Sequence, residues 1–342
     1  MGEAPDPHDW NAAARWLATA GHRLARDPAP ERLAGGLANL NWRVVLDGRP
    51  AVFRRPPPGE LAAGASDMGR EARVLAGLAP AFALAPRLIA ACLEPAVIGV
   101  PFLLIEWREG VAVGGTLPAG FAPDAHVWLL PALAQALARL HALDPAALGL
   151  GDLGRASGFA ERTLRGWTKR AAAAFASEAP PALGQLLGLL GRRLPAEVPA
   201  RLLHMDAKFD NLLVDPVARA ATALIDWDMG TLGPPAFDLA VLLSYWIEPG
   251  DPPGTHALAA VPSLLPGWPG RAEVVAAYRQ AAGDAPPDLG WHLALARLRL
   301  STAWMQLYCL WERGSLKGDR YAGFKTLAQA ILAQAADRFG DI

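Results

Sequence analysis

The stretch that decides the fold begins Leu203-His204-Met205-Asp206-Ala207-Lys208-Phe209-Asp210-Asn211, runs on as Leu212-Leu213-Val214-Asp215, and resumes at Ile225-Asp226-Trp227. The apolar pieces 212–214 and 223–226 read as two short strands joined in a hairpin. A register with residue 213 opposite 224 predicts Asn211 opposite Asp226. An amide oxygen and a carboxylate then meet at one end of a short ribbon. That pair suits a hard cation such as Mg²⁺, which takes one or two protein oxygens and completes its shell with phosphates. Asn211 and Asp226 are therefore the candidate metal ligands. Asp206 stands just ahead of them, placed to accept a proton from an incoming hydroxyl. Lys208 can offset charge on a phosphoryl group in transit. Taken singly, these aspartates read as ordinary turn residues; their joint order and spacing carry the reading.

The N-terminal 108 residues supply the rest of a phosphate site. The segment 41–54 alternates through a strand, an Asp47-Gly48 turn and a second strand, a strong hairpin signal. Alternation puts Val52 and Arg54 on one face. Val52 is then expected to line an adenine pocket and Arg54 to grip phosphates. The chain has no lysine before Lys169, so the cation on this strand is an arginine. It can bind phosphate through two N–H groups at once. The helix expected from Ser66 onward carries Met68, Ala72, Leu75 and Leu78 as an inward stripe. Glu71 falls within that stripe. A carboxylate there is costly unless paired, and Arg54 is its candidate partner. Gly35, Gly36 and Asn39 form a candidate phosphate-covering loop. Glu106, Trp107 and Arg108 follow an apolar strand and form a candidate hinge whose backbone meets adenine.

Composition bounds the alternatives. The chain has 342 residues, a prior of about two domains or one bilobal unit. With 52% apolar and 19% charged residues and a mean hydropathy of +0.18, it is far from a disordered composition. A net charge of −1 disfavours nucleic acid as a partner. Cys92 and Cys309 are too few and too far apart for a disulfide framework or a cysteine zinc site. No stretch reaches the ~18 apolar residues of a membrane helix, and the start lacks a signal-peptide pattern, so no membrane partner and a cytoplasmic location are expected.

Further along, residues 8–26 read as an N-terminal helix and 97–107 as a strand pair. Gly110 to Gly120 reads as a break, and 249–270 as a Pro/Gly-rich surface loop. Leu129, Leu133, Leu137 and Leu140 mark one face of a long helix. The expected class is α+β: a β-rich N-terminal lobe with its hinge over 1–108 and a mostly helical C-terminal lobe over 109–342. The H-x-D-x-K-x-x-N run, its following strand and the later strand ending in Asp226 are the order found in the protein-kinase-like bilobal fold.

The chain resembles the aminoglycoside phosphotransferase-like family of small-molecule kinases. Within it, the chain looks most like the branch that includes kinase-like domains attached to some acyl-CoA dehydrogenases. The resemblance rests on FRRPPPG (53–59), REARVLAGL (70–78), PAVIGVPFLLIEWREG (95–110), LARLHALDPAALGLGDLGR (137–155), RTLRGWTKR (162–170), LLHMDAKFDNLLVD and LIDWDMGTLGPPAFDLA. It implies ATP and Mg²⁺ as cofactors, Asp206 as catalytic base, Asn211 and Asp226 on the metal, Arg54 as phosphate anchor, and Asp238 as a brace for the catalytic loop. Met205 departs from the glycine usual before that aspartate, and Pro234 from the usual aspartate of G-D-P.

Only about eleven residues separate Asp226 from the helix expected near Asp238. That leaves no room for a protein kinase's peptide platform, so a small-molecule hydroxyl acceptor is expected. After Asp238 there are 9 acidic and 9 basic residues, and 152–170 is rich in arginine. This balance favours a neutral or anionic acceptor, such as a hydroxy acid or hydroxyacyl compound, over a polycation. Two alternatives stand beside it: an aminoglycoside- or choline-type kinase, and a catalytically silent kinase-like module that only binds nucleotide. Oligomeric state has no signature in the sequence, and His204, unlike His126, His141 and His292, reads as a loop anchor.

Overall fold

The computed structural model describes residues 8–33, 39–57, 66–258, 261–284, 286 and 289–339. Its first third is built on one antiparallel sheet of β1 (Glu31–Arg32), β2 (Leu40–Leu46), β3 (Arg49–Arg55), β4 (Leu88–Cys92) and β5 (Phe102–Glu106), in the order β1-β2-β3-β5-β4. Asp47 and Gly48, at φ 53° and 77°, turn β2 into β3. A two-residue hairpin of this kind needs positive φ at both positions, which Asp-Gly tolerates best. Alternation along β3 then divides its side chains. Ala51 and Phe53 bury against Trp42, Val44, Phe102 and Leu17 of helix α1 (Trp10–Thr19). Val52 faces the opposite way, into the larger core that contains Leu75 and Ile105. Arg54 shares that face. Helix α2 (Met68–Leu78) is capped by Asp67, which accepts from Arg70 N at 3.0 Å, and buries Met68, Glu71, Ala72, Leu75 and Leu78.

After β5 the chain is mainly helical: α3 (His126–Ala142), α4 (Phe159–Phe175), α5 (Pro181–Arg192), α6 (Pro235–Tyr245), α7 (Arg271–Ala282), α8 (Leu289–Glu312) and α9 (Phe324–Asp337). Leu129, Leu133, Leu137 and Leu140 of α3 are all fully buried, as their spacing predicts. Helix α6 is buried on nearly every side, and so is α8 as far as Thr302. Two short ribbons interrupt the helices. Strand β6 (Arg201–Leu203) pairs with β9 (Thr231–Gly233), and β7 (Leu212–Asp215) with β8 (Ala220–Leu224). Among the described residues no helix is long and apolar enough to cross a membrane.

Three expectations are corrected. The strand pair placed at 97–107 is instead β4 with β5, because the intervening segment turns through Gly99 at φ 87° and β5 begins only after Pro101. The register of the 212–224 hairpin is one residue off. Leu212 faces Leu224, and Asn211 faces Ile225, whose N–H donates to Asn211 O at 2.9 Å. Finally, 249–270 is not merely a surface loop. Val261 and Trp268 are buried within it, and so is Asp251, which pairs with Arg271 and Arg338.

Candidate active site

Arg54 comes to the site from β3 and Glu71 from α2. Arg54 Nε donates to Glu71 Oε2 at 2.8 Å, and both side chains are buried. The same guanidinium donates to Asn41 Oδ1 at 3.2 Å and to Asp226 Oδ1, and lies 4.0 Å from Asp228 Oδ2. Asn39 Nδ2 donates to Asp228 Oδ2 at 2.8 Å. The cation, the inward glutamate and the strand-end aspartate of the sequence reading are thus one contiguous cluster. Burial works against the charge on Arg54, but Glu71, Asp226 and Asp228 together hold its pKa above the ordinary arginine value.

The catalytic-loop candidates form a second cluster. Lys208 Nζ donates to Asp206 Oδ2 at 2.7 Å and lies 3.1 Å from Asp210 Oδ1. Asn211 Nδ2 donates to the Asp206 backbone O at 2.8 Å and to Asp206 Oδ2 at 2.9 Å. With its amide nitrogen so engaged, Asn211 has its carbonyl oxygen left for another partner. Beneath the loop, Asp238 of α6 accepts from His204 N at 2.7 Å and Met205 N at 2.6 Å. His141 of α3 bridges Asp238 Oδ2, at 3.1 Å, to the Tyr278 hydroxyl of α7, at 2.7 Å. His141, given no role by spacing alone, therefore belongs to the support of the loop. His204 Nε2 meets Ile225 O at 2.9 Å, tying the catalytic loop to the strand that delivers Asp226. Asp226 itself sits at φ 69°, and this left-handed residue turns the chain out of the ribbon.

Charge at the site is unbalanced. Five carboxyl groups (Glu71, Asp206, Asp210, Asp226, Asp228) face two cations, Arg54 and Lys208. Burial, followed by the Asp226 charge, pushes Asp228 up to about 6. Burial pushes Glu71 up to about 7, against the pull of Arg54. Such a site fits a divalent cation. The free oxygen of Asn211 and the Asp226 carboxylate are donors of the right chemistry, and a cation would offset the excess negative charge. Among the described residues no cluster of three or more His, Cys, Asp or Glu side chains is arranged to hold a metal. A cation here would depend on the amide and on the phosphates of a bound nucleotide as well.

The remaining candidates are placed differently. Gly35 and Gly36 lie outside the described residues. Glu106 accepts from Arg87 N at 3.1 Å and pairs with Arg87 and Arg108, while Trp107 Nε1 donates to Glu109 at 2.7 Å. Their side chains brace the end of β5. Gly110 follows at φ 149°; a Cβ there would stand 2.5 Å from Thr222 Oγ1 and 2.9 Å from Leu213 Cβ. Glycine is needed at this crossing because the chain presses on the β7–β8 ribbon. Asp228 was missed from the sequence: it lies in the turn that follows the left-handed Asp226, so strand alternation does not place it beside Arg54.

The pattern that defines the phosphotransferase enzyme family matches residues 30–304. The chain is 31% identical over 218 residues to acyl-CoA dehydrogenase family member 10 of Mus musculus, covering 64% of this chain and 20% of that protein. It is 27% identical over 299 residues to family member 11 of Homo sapiens, covering 86% and 38%. It therefore spans only about a fifth to two fifths of the length of the curated relatives it matches. Among solved structures, a Ralstonia eutropha protein assigned to the aminoglycoside phosphotransferases superposes with a TM-score of 0.77 at 24% identity, over 96% of this chain and 98% of that one. Aminoglycoside phosphotransferase APH(4)-Ia, solved with AMP-PNP and hygromycin B, superposes with a TM-score of 0.60 at 16% identity, over 97% and 100%. These likenesses show a shared protein-kinase-like α+β fold.

Proposed function

The chain belongs to the phosphotransferase enzyme family, and from that footing we propose that it transfers the γ-phosphoryl group of ATP to the hydroxyl of a small molecule. The observation that supports this reading is a cluster of Arg54, Glu71 and Asp226 and a second of Asp206, Lys208 and Asn211, tied together where Ile225, the residue before Asp226, bonds His204 and Asn211. Residues 1–108 would grip the nucleotide, with Val52 against the base and Arg54 on the phosphates. Residues 109–342 would present the acceptor. Asp206 orients the acceptor hydroxyl and takes its proton as the new P–O bond forms and the bond to ADP breaks. Lys208 and Arg54 stabilise charge on the transferring group. The Asn211 side-chain oxygen and the Asp226 carboxylate would hold Mg²⁺, which would supply further neutralisation of the phosphates.

The acceptor reading rests on three supports. Between Asp226 and the start of α6 at Pro235 the chain has too few residues for a peptide platform. The C-terminal part is balanced in charge, unlike a site built for a polycation. The curated relatives are named as acyl-CoA dehydrogenases, which favours a hydroxy acid or hydroxyacyl thioester. The test is phosphoryl transfer from Mg·ATP to a panel of hydroxy acids, their thioesters and aminoglycosides, read by ³¹P NMR. Turnover of the acids or thioesters supports the assignment. Preferential turnover of an aminoglycoside overturns the acceptor class, and nucleotide binding without any transfer overturns the enzymatic reading.

A further inference from the structure

Met205, the residue just before Asp206, has φ 71°. A side-chain-bearing residue enters this left-handed region at a cost of roughly tenfold in population, whereas glycine enters it freely. Something must hold Met205 there, since any rotation of its peptide units would swing Asp206 away from Lys208 and Asn211. Its N–H is held by Asp238 Oδ1 at 2.6 Å. Its carbonyl is held from the other side of the lobe: Arg299 Nη2, on the buried helix α8, donates to Met205 O at 3.1 Å. The same nitrogen lies 3.2 Å from Met229 Sδ, three residues beyond Asp226, which is itself left-handed at φ 69°. Arg299 is 6% exposed, so its guanidinium is fixed by the packing of α8 rather than by solvent. One buried cation therefore touches both loops that carry the reacting groups, each next to a strained backbone.

Resting on the phosphotransferase reading above, we propose that Arg299 is a positioning residue: by gripping the Met205 carbonyl it holds a left-handed methionine in place and so aims Asp206. It touches neither nucleotide nor acceptor in this role. Its effect passes through the backbone of Met205, which makes it separable from simple stabilisation of the fold. If Arg299 holds a strained residue, its importance must shrink when the strain is removed. Met205→Gly removes it, because glycine needs no grip to remain at positive φ.

The test is a double-mutant cycle of R299A and M205G on the full chain, with R299K as the conservative variant. Mg·ATP turnover with water as acceptor is measured for kcat and KM, and melting temperature is measured alongside. R299A is expected to lower kcat about tenfold in the wild-type background, equal to the population cost of the left-handed residue, with KM for Mg·ATP within about twofold. In the M205G background the same change is expected to lower kcat less than about threefold. R299K, which keeps a donor, is expected to recover most of the kcat. Where R299A does not fold, R299K in the two backgrounds makes the same comparison, with its smaller loss confined to the wild-type background. Equal losses in both backgrounds, or a loss that falls on KM, overturn the proposal. Absence in the unmutated protein of both water-dependent turnover and transfer to any member of the acceptor panel would instead overturn the phosphotransferase reading, so the two failures are distinguishable.

Discussion

Arg54 Nε donates to Glu71 Oε2 at 2.8 Å, joining the third strand of the sheet to helix α2 through a pair almost wholly removed from solvent. The same guanidinium also holds Asn41 and Asp226. Removing it by Arg54→Ala strands the Glu71 carboxyl among other carboxylates, and breaking a buried pair in this way costs about 3–5 kcal/mol. Arg54→Lys keeps the charge but replaces a planar fork with a single ammonium that cannot serve three partners at their present separations. We expect a smaller stability loss for the lysine variant, by urea unfolding, together with a changed KM for Mg·ATP.

Asp238 makes the support of the catalytic loop pH-sensitive. Burial pushes its pKa up, but the hydrogen bond and charge of His141, the His204 charge and the His204 N–H outweigh this and hold it below 3.8. A carboxyl with a folded value below its unfolded one contributes stability that is present above the unfolded value and is lost as pH falls through the folded one. Stability should therefore fall with acidification below about pH 4, and Asp238→Asn should be less stable at neutral pH and flatter over that acid range. Urea midpoints between pH 7 and pH 3 check this; equal slopes for the two proteins would contradict it.

Gly110 is predicted to tolerate no side chain. Gly110→Ala would force Cβ against Thr222 and Leu213 and would also burden a backbone at φ 149°. Overpacking of this kind costs about 1–3 kcal/mol. The paired bonds Val111 N to Val214 O (2.9 Å) and Val214 N to Val111 O (3.1 Å) should loosen with it, which amide exchange at Val111 and Val214 would report.

These sites differ in how far the chain announces them. Asp206, Lys208 and Asn211 lie within six residues of one another, so local spacing is enough to group them. Arg54 and Glu71 were legible because each sits at a fixed phase of a strand or helix, and a charge in an apolar stripe demands a partner. The register between Asn211 and Asp226 was not legible. Alternation alone cannot announce the shift between Leu213 and Val214, nor that Asp226 leaves the ribbon in a left-handed turn. His141, Asp228 and Arg299 meet their partners only through tertiary packing, and nothing in local period assigns them. Met205 lay between: its departure from glycine was visible, while the helix that compensates for it was not.

The Asp206 carboxylate decides the account. Asp206→Asn preserves size and the bonds from Lys208 and Asn211 in outline but removes the carboxylate proposed as the base. Phosphoryl transfer from Mg·ATP, followed with matched titrations of nucleotide binding, should fall about 10²–10⁴-fold in kcat while nucleotide affinity stays near that of the unmutated protein. Unchanged transfer in this variant would contradict the central claim that Asp206 takes the acceptor's proton.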